Sequence, residues 1–355
     1  MIMLWKIRIL FGIINIIYAT AHRILLYFSK KPSSIPPITN SLYMLSASTL
    51  ARKIRQGEIT SYEVVQAYIT RIKEVNPFLN AVVEDRFSAA IIEAKNCDEQ
   101  LKAGKFDVAI LEKEKPLYGV PLTVKECCAV KGCSHSGCTL PRKGMKADYD
   151  ATVIELLRNA GAIPLCVTNT PELSTGIEST NLLIGRTCNP YDTRYSAGGS
   201  SGGEGALLGA GASVIGLGSD MAGSIRLPAF LNGVFGHKPT AGKWIFFNTK
   251  IISNCNSSLE FDLLGDNGVF IYPTFRNQIL PDLALCELLS VSSCGIVNIF
   301  GFPAVNVPMG LNHDGMPMGI QVIAAPYQDR LCLAVAKELE TAFGGWVPPS
   351  VSIRD

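Results

Sequence analysis

Three observations predict an α/β fold. Strand-like runs at Ala81–Val83, Leu117–Val124, Ile163–Thr168 and Val214–Leu217 alternate with helix-like runs. Those helices read as Ser46–Gly57, Thr60–Val75, Phe87–Leu101, Asp150–Ala160 and Gly203–Ala212. Alternation of this kind builds a sandwich, with helices flanking a mixed, largely parallel sheet. At 355 residues the chain can bury a core of that size, as one large domain or two. Its 48% hydrophobic and 17% charged residues exclude a disordered chain.

The elements follow from local chemistry. Lys6 and Arg8 precede an apolar run from Ile9 to Ala21, then His22, Arg23 and a second apolar patch, Ile24–Phe28. Residues 1–31 are read as a retained membrane anchor. An interfacial helix and a signal peptide cleaved after Ala19-Thr20-Ala21 are the alternatives. Pro32, Ser33, Ser34, Pro36 and Pro37 mark a linker over 32–41. The main domain then runs over 42–347, with a tail at 348–355. In Thr60–Val75, residues Val64, Val65, Tyr68, Ile69 and Ile72 share one helix face. Pro121 interrupts the Leu117–Val124 strand, and Gly161 stops the Asp150–Ala160 helix. After Pro239 the pattern falters, and Lys243–Ser258 shows no clean period. Order returns with a turn and strand at Leu264–Pro273, a strand at Gly319–Ala324 and a helix at Leu331–Phe343.

Charge and cysteine content narrow the function. Lys plus Arg is 32 and Asp plus Glu is 30, so a net charge of +2 gives no electrostatic reason to expect nucleic acid. Eleven cysteines, an odd number, exclude a fully paired disulfide framework. Cys127, Cys128, Cys133 and Cys138 cluster without repeating a C-x-x-C pair, so they read as buried thiols rather than a zinc site.

The chemistry concentrates where glycine does. Ten of the 26 residues from Gly198 to Gly223 are glycine. That density lets backbone approach a ligand closely. A P-loop is excluded because the stretch has no lysine. A dinucleotide fingerprint fails at Val214, where Gly209-Ala-Gly211 needs a third glycine. Gly198-Gly-Ser200-Ser-Gly202 does fit G-x-S-x-G, leaving a Ser-His-Asp hydrolase as a rival that would use His237 or His313. His313 sits in the turn Asn312–Gly315, and His237 in an expected loop before Lys238-Pro239.

A different reading uses two serines and a lysine. Ser200 precedes a helix, where N–H groups favour negative charge. Ser224 follows a glycine turn able to cradle an oxyanion. Lys125 ends an apolar strand, where desolvation favours a neutral amine that can act as a base. Each has a plainer reading: Ser200 as a helix cap, Lys125 as a solvated strand end, Ser224 as a turn residue.

Together these strings resemble the amidase signature family. They are Gly119-Val-Pro-Leu-Thr-Val-Lys125-Glu, Gly198-Gly-Ser200-Ser-Gly-Gly-Glu-Gly and Gly218-Ser-Asp-Met-Ala-Gly-Ser224-Ile-Arg-Leu-Pro-Ala. Gly236-His-Lys-Pro239, Gly301-Phe-Pro-Ala-Val-Asn-Val-Pro308 and Gly315-Met-Pro-Met-Gly-Ile-Gln321 also fit, in order and spacing. Tyr62–Ile69 and Phe343-Gly-Gly-Trp346 narrow the likeness to the membrane-bound fatty-acid amide hydrolases of animals, second type.

The resemblance implies an amidase-signature three-layer α/β/α sandwich around a mixed sheet. It implies a serine hydrolase of lipid metabolism that cleaves fatty-acid amides without metal or organic cofactor. Ser224 would be the nucleophile, Ser200 the bridging serine and neutral Lys125 the base. The N–H groups of Met221, Ala222, Gly223 and Ser224 would form the oxyanion hole, and Asp220 would pair with Arg226. Membrane association at the endoplasmic reticulum or a lipid droplet, and a homodimer, are implied as well. Two departures stand out. Ala222 replaces the first glycine of the family's Gly-Gly-Ser, which implies strain if that position needs positive φ. The family's middle block is missing near 243–258, so the sheet should be incomplete. A shortened, non-catalytic member with a structural or regulatory role is therefore the alternative.

Overall fold

The computed structural model describes residues 17–18, 20–22, 24–29, 35–242, 264–265 and 267–350. Along the first half run α1 (Ala47–Arg55), α2 (Ser61–Leu79), β1 (Val82–Asp85), α3 (Phe87–Lys102), α4 (Val108–Glu114) and β2 (Pro121–Lys125). They are followed by α5 (Thr152–Asn159), β3 (Ile163–Thr168), the short pair β4 (Thr180–Asn181) and β5 (Gly185–Arg186), α6 (Gly202–Gly209) and β6 (Gly216–Leu217). The second part holds α7 (Arg226–Leu231), β7 (Gly236–Lys238), β8 (Val269–Pro273), α8 (Ser292–Ile299), β9 (Ala304–Leu311), β10 (Pro317–Ala324) and α9 (Asp329–Phe343).

The helix starts are chemically specified. Ser46 Oγ accepts the Thr49 N–H at 3.2 Å. Thr60 and Glu63 close a reciprocal capping box at the head of α2. Asp98, on α3, accepts the Ser61 and Tyr62 N–H groups at 2.7 and 2.9 Å, fixing α3 against that same end. Helix α2 runs one turn past the expected Val75, carrying Pro77 inside it, and Asn80 ends it in the left-handed region. Its apolar face, with Tyr68, Ile69 and Ile72, packs on Leu50 and Ile54 of α1 and Leu207 of α6. Arg71 is fully buried on that face and donates from Nε and Nη2 to the Ala210 carbonyl, which closes α6, at 3.1 and 3.0 Å.

The sheet is mixed, as expected, but less parallel and divided in two. One sheet has the order β1-β3-β2-β6, and the other β7-β9-β10-β8. Only β2 with β3 and β2 with β6 pair in parallel among the described strands. The second sheet is antiparallel throughout, since β9 and β10 form a hairpin whose turn spans Asn312–Gly315. Helix α9 covers that sheet, with Cys332 and Ala336 on Val305, Val307 and Val322.

Two local expectations are corrected. His237 lies in strand β7, paired with Val305, and not in a loop. Strand β9 and helix α8 are elements that the sequence pattern did not separate. The anchor expected at 1–31 falls largely outside the described residues, as does the segment 243–258. Its described part packs Leu25 and Leu26 against Tyr195, Leu280 and Met316. No helix among the described residues is long and apolar enough to cross a membrane.

Candidate active site

Strand β2 is buried along its length, and Lys125 is its last residue. Parallel pairing with β3 on one side and β6 on the other leaves Lys125 fully enclosed. An ammonium there loses its hydration, so burial pushes the Lys125 pKa down, against the raising influence of Cys127, Cys128, Asp220 and Glu204. The side chain is not a solvated strand end. Its Nζ donates to Ser200 Oγ at 2.6 Å and to Ser219 Oγ at 2.8 Å.

Ser200 is buried, and its side chain does not cap the following helix. Helix α6 instead seats itself on the sheet through Glu204. That carboxylate accepts Thr123 Oγ1 at 2.6 Å and Thr168 Oγ1 at 2.7 Å. Burial raises its pKa to about 7 despite both hydroxyls. The close approach needs glycine at 203, where an added Cβ would lie 2.5 Å from the Asn169 backbone nitrogen.

The second serine sits on a loop held from beneath. Asp220 Oδ2 and Arg226 Nε pair at 3.0 Å, both side chains buried. Asp220 also accepts the N–H groups of Gly223 at 2.7 Å and Ile225 at 3.2 Å. Burial works to raise the Asp220 pKa, but Arg226 and these donors hold it well below the usual carboxylate range. Arg226 reaches on to Gln321 Oε1 at 2.9 Å and the Cys294 carbonyl at 3.0 Å, joining the loop to β10 and α8. The left-handed residue is Gly223, at φ +119°, and not Ala222, so the strain expected at Ala222 is absent.

Ser224 is half-buried beside exposed Met221 and Ala222. Its carbonyl accepts the Ser201 N–H at 3.1 Å, which ties the two serine loops together. No hydrogen bond joins Ser224 Oγ to Ser200 in this arrangement. Of the four expected oxyanion donors, Gly223 already gives its N–H to Asp220. The N–H groups of Met221, Ala222 and Ser224 have no acceptor among the described residues.

The histidines are placed elsewhere. His313 is 88% exposed and meets only Asp314, at 3.3 Å. His237 Nε2 lies 3.5 Å from Asp329, and burial lowers its pKa. Neither is hydrogen-bonded to Ser200 or Ser224; each is paired with its own aspartate instead. The nine described cysteines are free thiols, and among the described residues no group of three His, Cys, Asp or Glu is arranged to hold a metal.

A family model described as Amidase matches residues 63–244, which contain Lys125, Ser200 and Ser224. The chain belongs to the amidase family. Amidase-family descent is descent from amide-hydrolysing enzymes. The chain is 33% identical to Fatty-acid amide hydrolase 2-B of Danio rerio over 511 aligned positions, covering 94% of this chain and 96% of that protein. Fatty-acid amide hydrolase 2 of Homo sapiens is 30% identical, covering 91% of this chain and 93% of that one. With Fatty-acid amide hydrolase 2-A of Danio rerio the identity is 56% over 210 residues, which span 59% of this chain and 40% of that protein. A chain of 355 residues cannot fill 511 positions, so at least 156 of them hold residues of the 2-B relative alone. This amidase therefore lacks at least 156 positions that the relative has. A solved structure of a fatty acid amide hydrolase superposes with a TM-score of 0.72 over 86% of each chain at 19% identity. That likeness carries the fold alone.

Proposed function

We propose that this amidase hydrolyses carboxylic amides, with fatty-acyl amides as the substrate class, through an acyl-enzyme on Ser224. The observation that carries the reading is the 2.6 Å contact between fully buried Lys125 Nζ and Ser200 Oγ. Neutral Lys125 takes a proton from Ser200 as Ser200 takes one from Ser224, and Ser224 Oγ bonds to the carbonyl carbon. The C–N bond breaks as the proton returns through Ser200 to the leaving nitrogen, because an amine leaves an amide only once protonated. Water then cleaves the ester and regenerates Ser224. Met221, Ala222 and Ser224 supply the unengaged N–H groups nearest the nucleophile for the developing oxyanion, with Gly223 N–H shared with Asp220. Hydrogen bonds of this kind commonly close only when substrate is bound. The fatty-acyl class is supported by the names of the relatives and by the exposed apolar side chain of Met221, three residues before Ser224.

A fluorophosphonate probe tests the reading. Labelling of the full chain should be strong and vanish in Ser224→Ala and Lys125→Ala. A folded chain, by circular dichroism, that takes no label favours a shortened member without catalysis, a role suggested by the 156 or more positions it lacks. The same proposal keeps an intracellular membrane anchor at 1–31, a linker at 32–41, the catalytic domain at 42–347 and a homodimer. The anchor is supported by the apolar run Ile9–Phe28. Release of the full chain by alkaline carbonate would remove the anchor.

A further inference from the structure

We propose that Ser219 is a positioning residue that aims the lone pair of the Lys125 amine at Ser200. The inference rests on reading Lys125 as the base, and it adds the group that orients it. A neutral primary amine has two N–H bonds and one lone pair, and only the lone pair can take the Ser200 proton. Rotation about Cε–Nζ exchanges the three positions, so an amine with Ser200 as its sole partner would as readily donate to that hydroxyl as accept from it. Ser219 Oγ, 2.8 Å from Nζ, is a second acceptor; by holding one N–H it keeps the lone pair from turning toward Ser219, so that it meets Ser200 once that hydroxyl becomes the donor.

Ser219 is itself fixed for this task. Its N–H donates to Ser201 Oγ, and Ser201 Oγ donates to its carbonyl, both at 3.3 Å. Ser201 follows Ser200, so the clamp holds both of the lysine's partners in one rigid frame. The Ser219 hydroxyl also lies 3.8 Å from Cys127 Sγ, a contact in which either atom can donate; with Ser219 donating, its oxygen lone pairs are free for the amine.

A hydroxyl that accepts from nitrogen stabilises the ammonium more than the amine. The charged and titratable neighbours of Lys125 are Cys127, Cys128, Asp220 and Glu204; of these only Cys127 touches Ser219, and losing that contact favours its neutral thiol, which lowers the Lys125 midpoint in the same direction. Removing the hydroxyl therefore lowers the titration midpoint of Lys125 while leaving its lone pair unaimed. The test uses the full chain with lysine 13C-labelled at Cε, the Lys125 signal being assigned by its loss in Lys125→Ala. In Ser219→Ala the midpoint should fall, and in Ser219→Thr it should return toward that of the unchanged protein. Ser219→Cys, which fills the space with a poorer acceptor, should lower it as well and serves if the alanine variant does not fold. On a fatty-acyl anilide, Ser219→Ala should lose roughly tenfold or more in kcat with KM little changed. The acid limb of its pH profile should move to lower pH. An unchanged Lys125 midpoint in both Ser219→Ala and Ser219→Cys overturns the inference, with or without turnover. Full turnover in Lys125→Ala would instead overturn the base assignment, so the two failures are distinct.

Discussion

Single residues carry this site's electrostatics, and Glu204 shows how. Its pKa is raised by burial from 4.5 to about 7, so the folded state holds a proton that the unfolded state gives up. The Glu204 contribution to stability is fully present below pH 4.5 and declines as pH rises from there through 7. At about 1.4 kcal/mol per unit the decline amounts to roughly 3 kcal/mol. Urea denaturation across that range should show it, and Glu204→Gln should flatten it. A fall of the same size in Glu204→Gln would assign the effect to another group. Lys125 runs in the opposite sense for activity. Its pKa is depressed by burial, so the base is neutral at lower pH than an exposed lysine, and turnover is lost as pH falls through that lowered value.

Elements bring these residues together, and α6 is the one that cannot move. Its first turn lies on the strand end where Asn169 follows β3, and the backbone atoms of Asn169 and Ala81 lie 2.5 to 2.8 Å from any Cβ added at 203. Backbone cannot yield as a flexible side chain does. Gly203→Ala should therefore cost about 1–3 kcal/mol of stability by chemical denaturation. It should also slow fluorophosphonate labelling, since α6 and Ser200 shift together. Stability equal to that of the unchanged protein would mean that the helix has slack. The neighbouring loop relies on charge rather than close contact. Asp220 and Arg226 are buried with full hydrogen bonding, and a buried pair of that kind is costly to break because either partner alone is stranded.

For the whole molecule the decisive feature is what the chain lacks. Among the described residues, strand β8 is an edge of the second sheet, with Phe270, Ile271 and Tyr272 between 44% and 51% exposed. Edges this apolar are templates for association, which natural sheets commonly blunt with charge or cover. Light scattering of the full chain should show concentration-dependent self-association, and Ile271→Lys should weaken it. Equal association by the variant would place the contact elsewhere.

Much of this was legible in the sequence. Pattern and punctuation located α2, α3, β3 and α9: apolar spacing for the helices, a short apolar run for the fully buried β3, and residues such as Thr60 or Gly161 at the ends. The spaced strings around Lys125, Ser200 and Ser224 identified the family, since glycine, serine and lysine at those positions answer to backbone geometry and chemistry that few other folds impose. Less was legible where contacts are distant in the chain. Ser219 lay inside a recognised string, next to Asp220, yet nothing local shows that its hydroxyl faces an amine 94 residues away. Nothing local to Arg71 shows that it is buried and serves the Ala210 carbonyl at the end of α6. The division of the sheet was equally hidden, because pairing between strands is settled by long-range register. The sequence by itself determined the family, the main helices and which side chains could do chemistry, for these depend on near neighbours and spacing. Only the tertiary structure decided that Lys125 is dry, that Ser219 and Ser200 share its amine, and that both histidines stand apart, because burial and orientation are made by segments that meet only when the chain has folded.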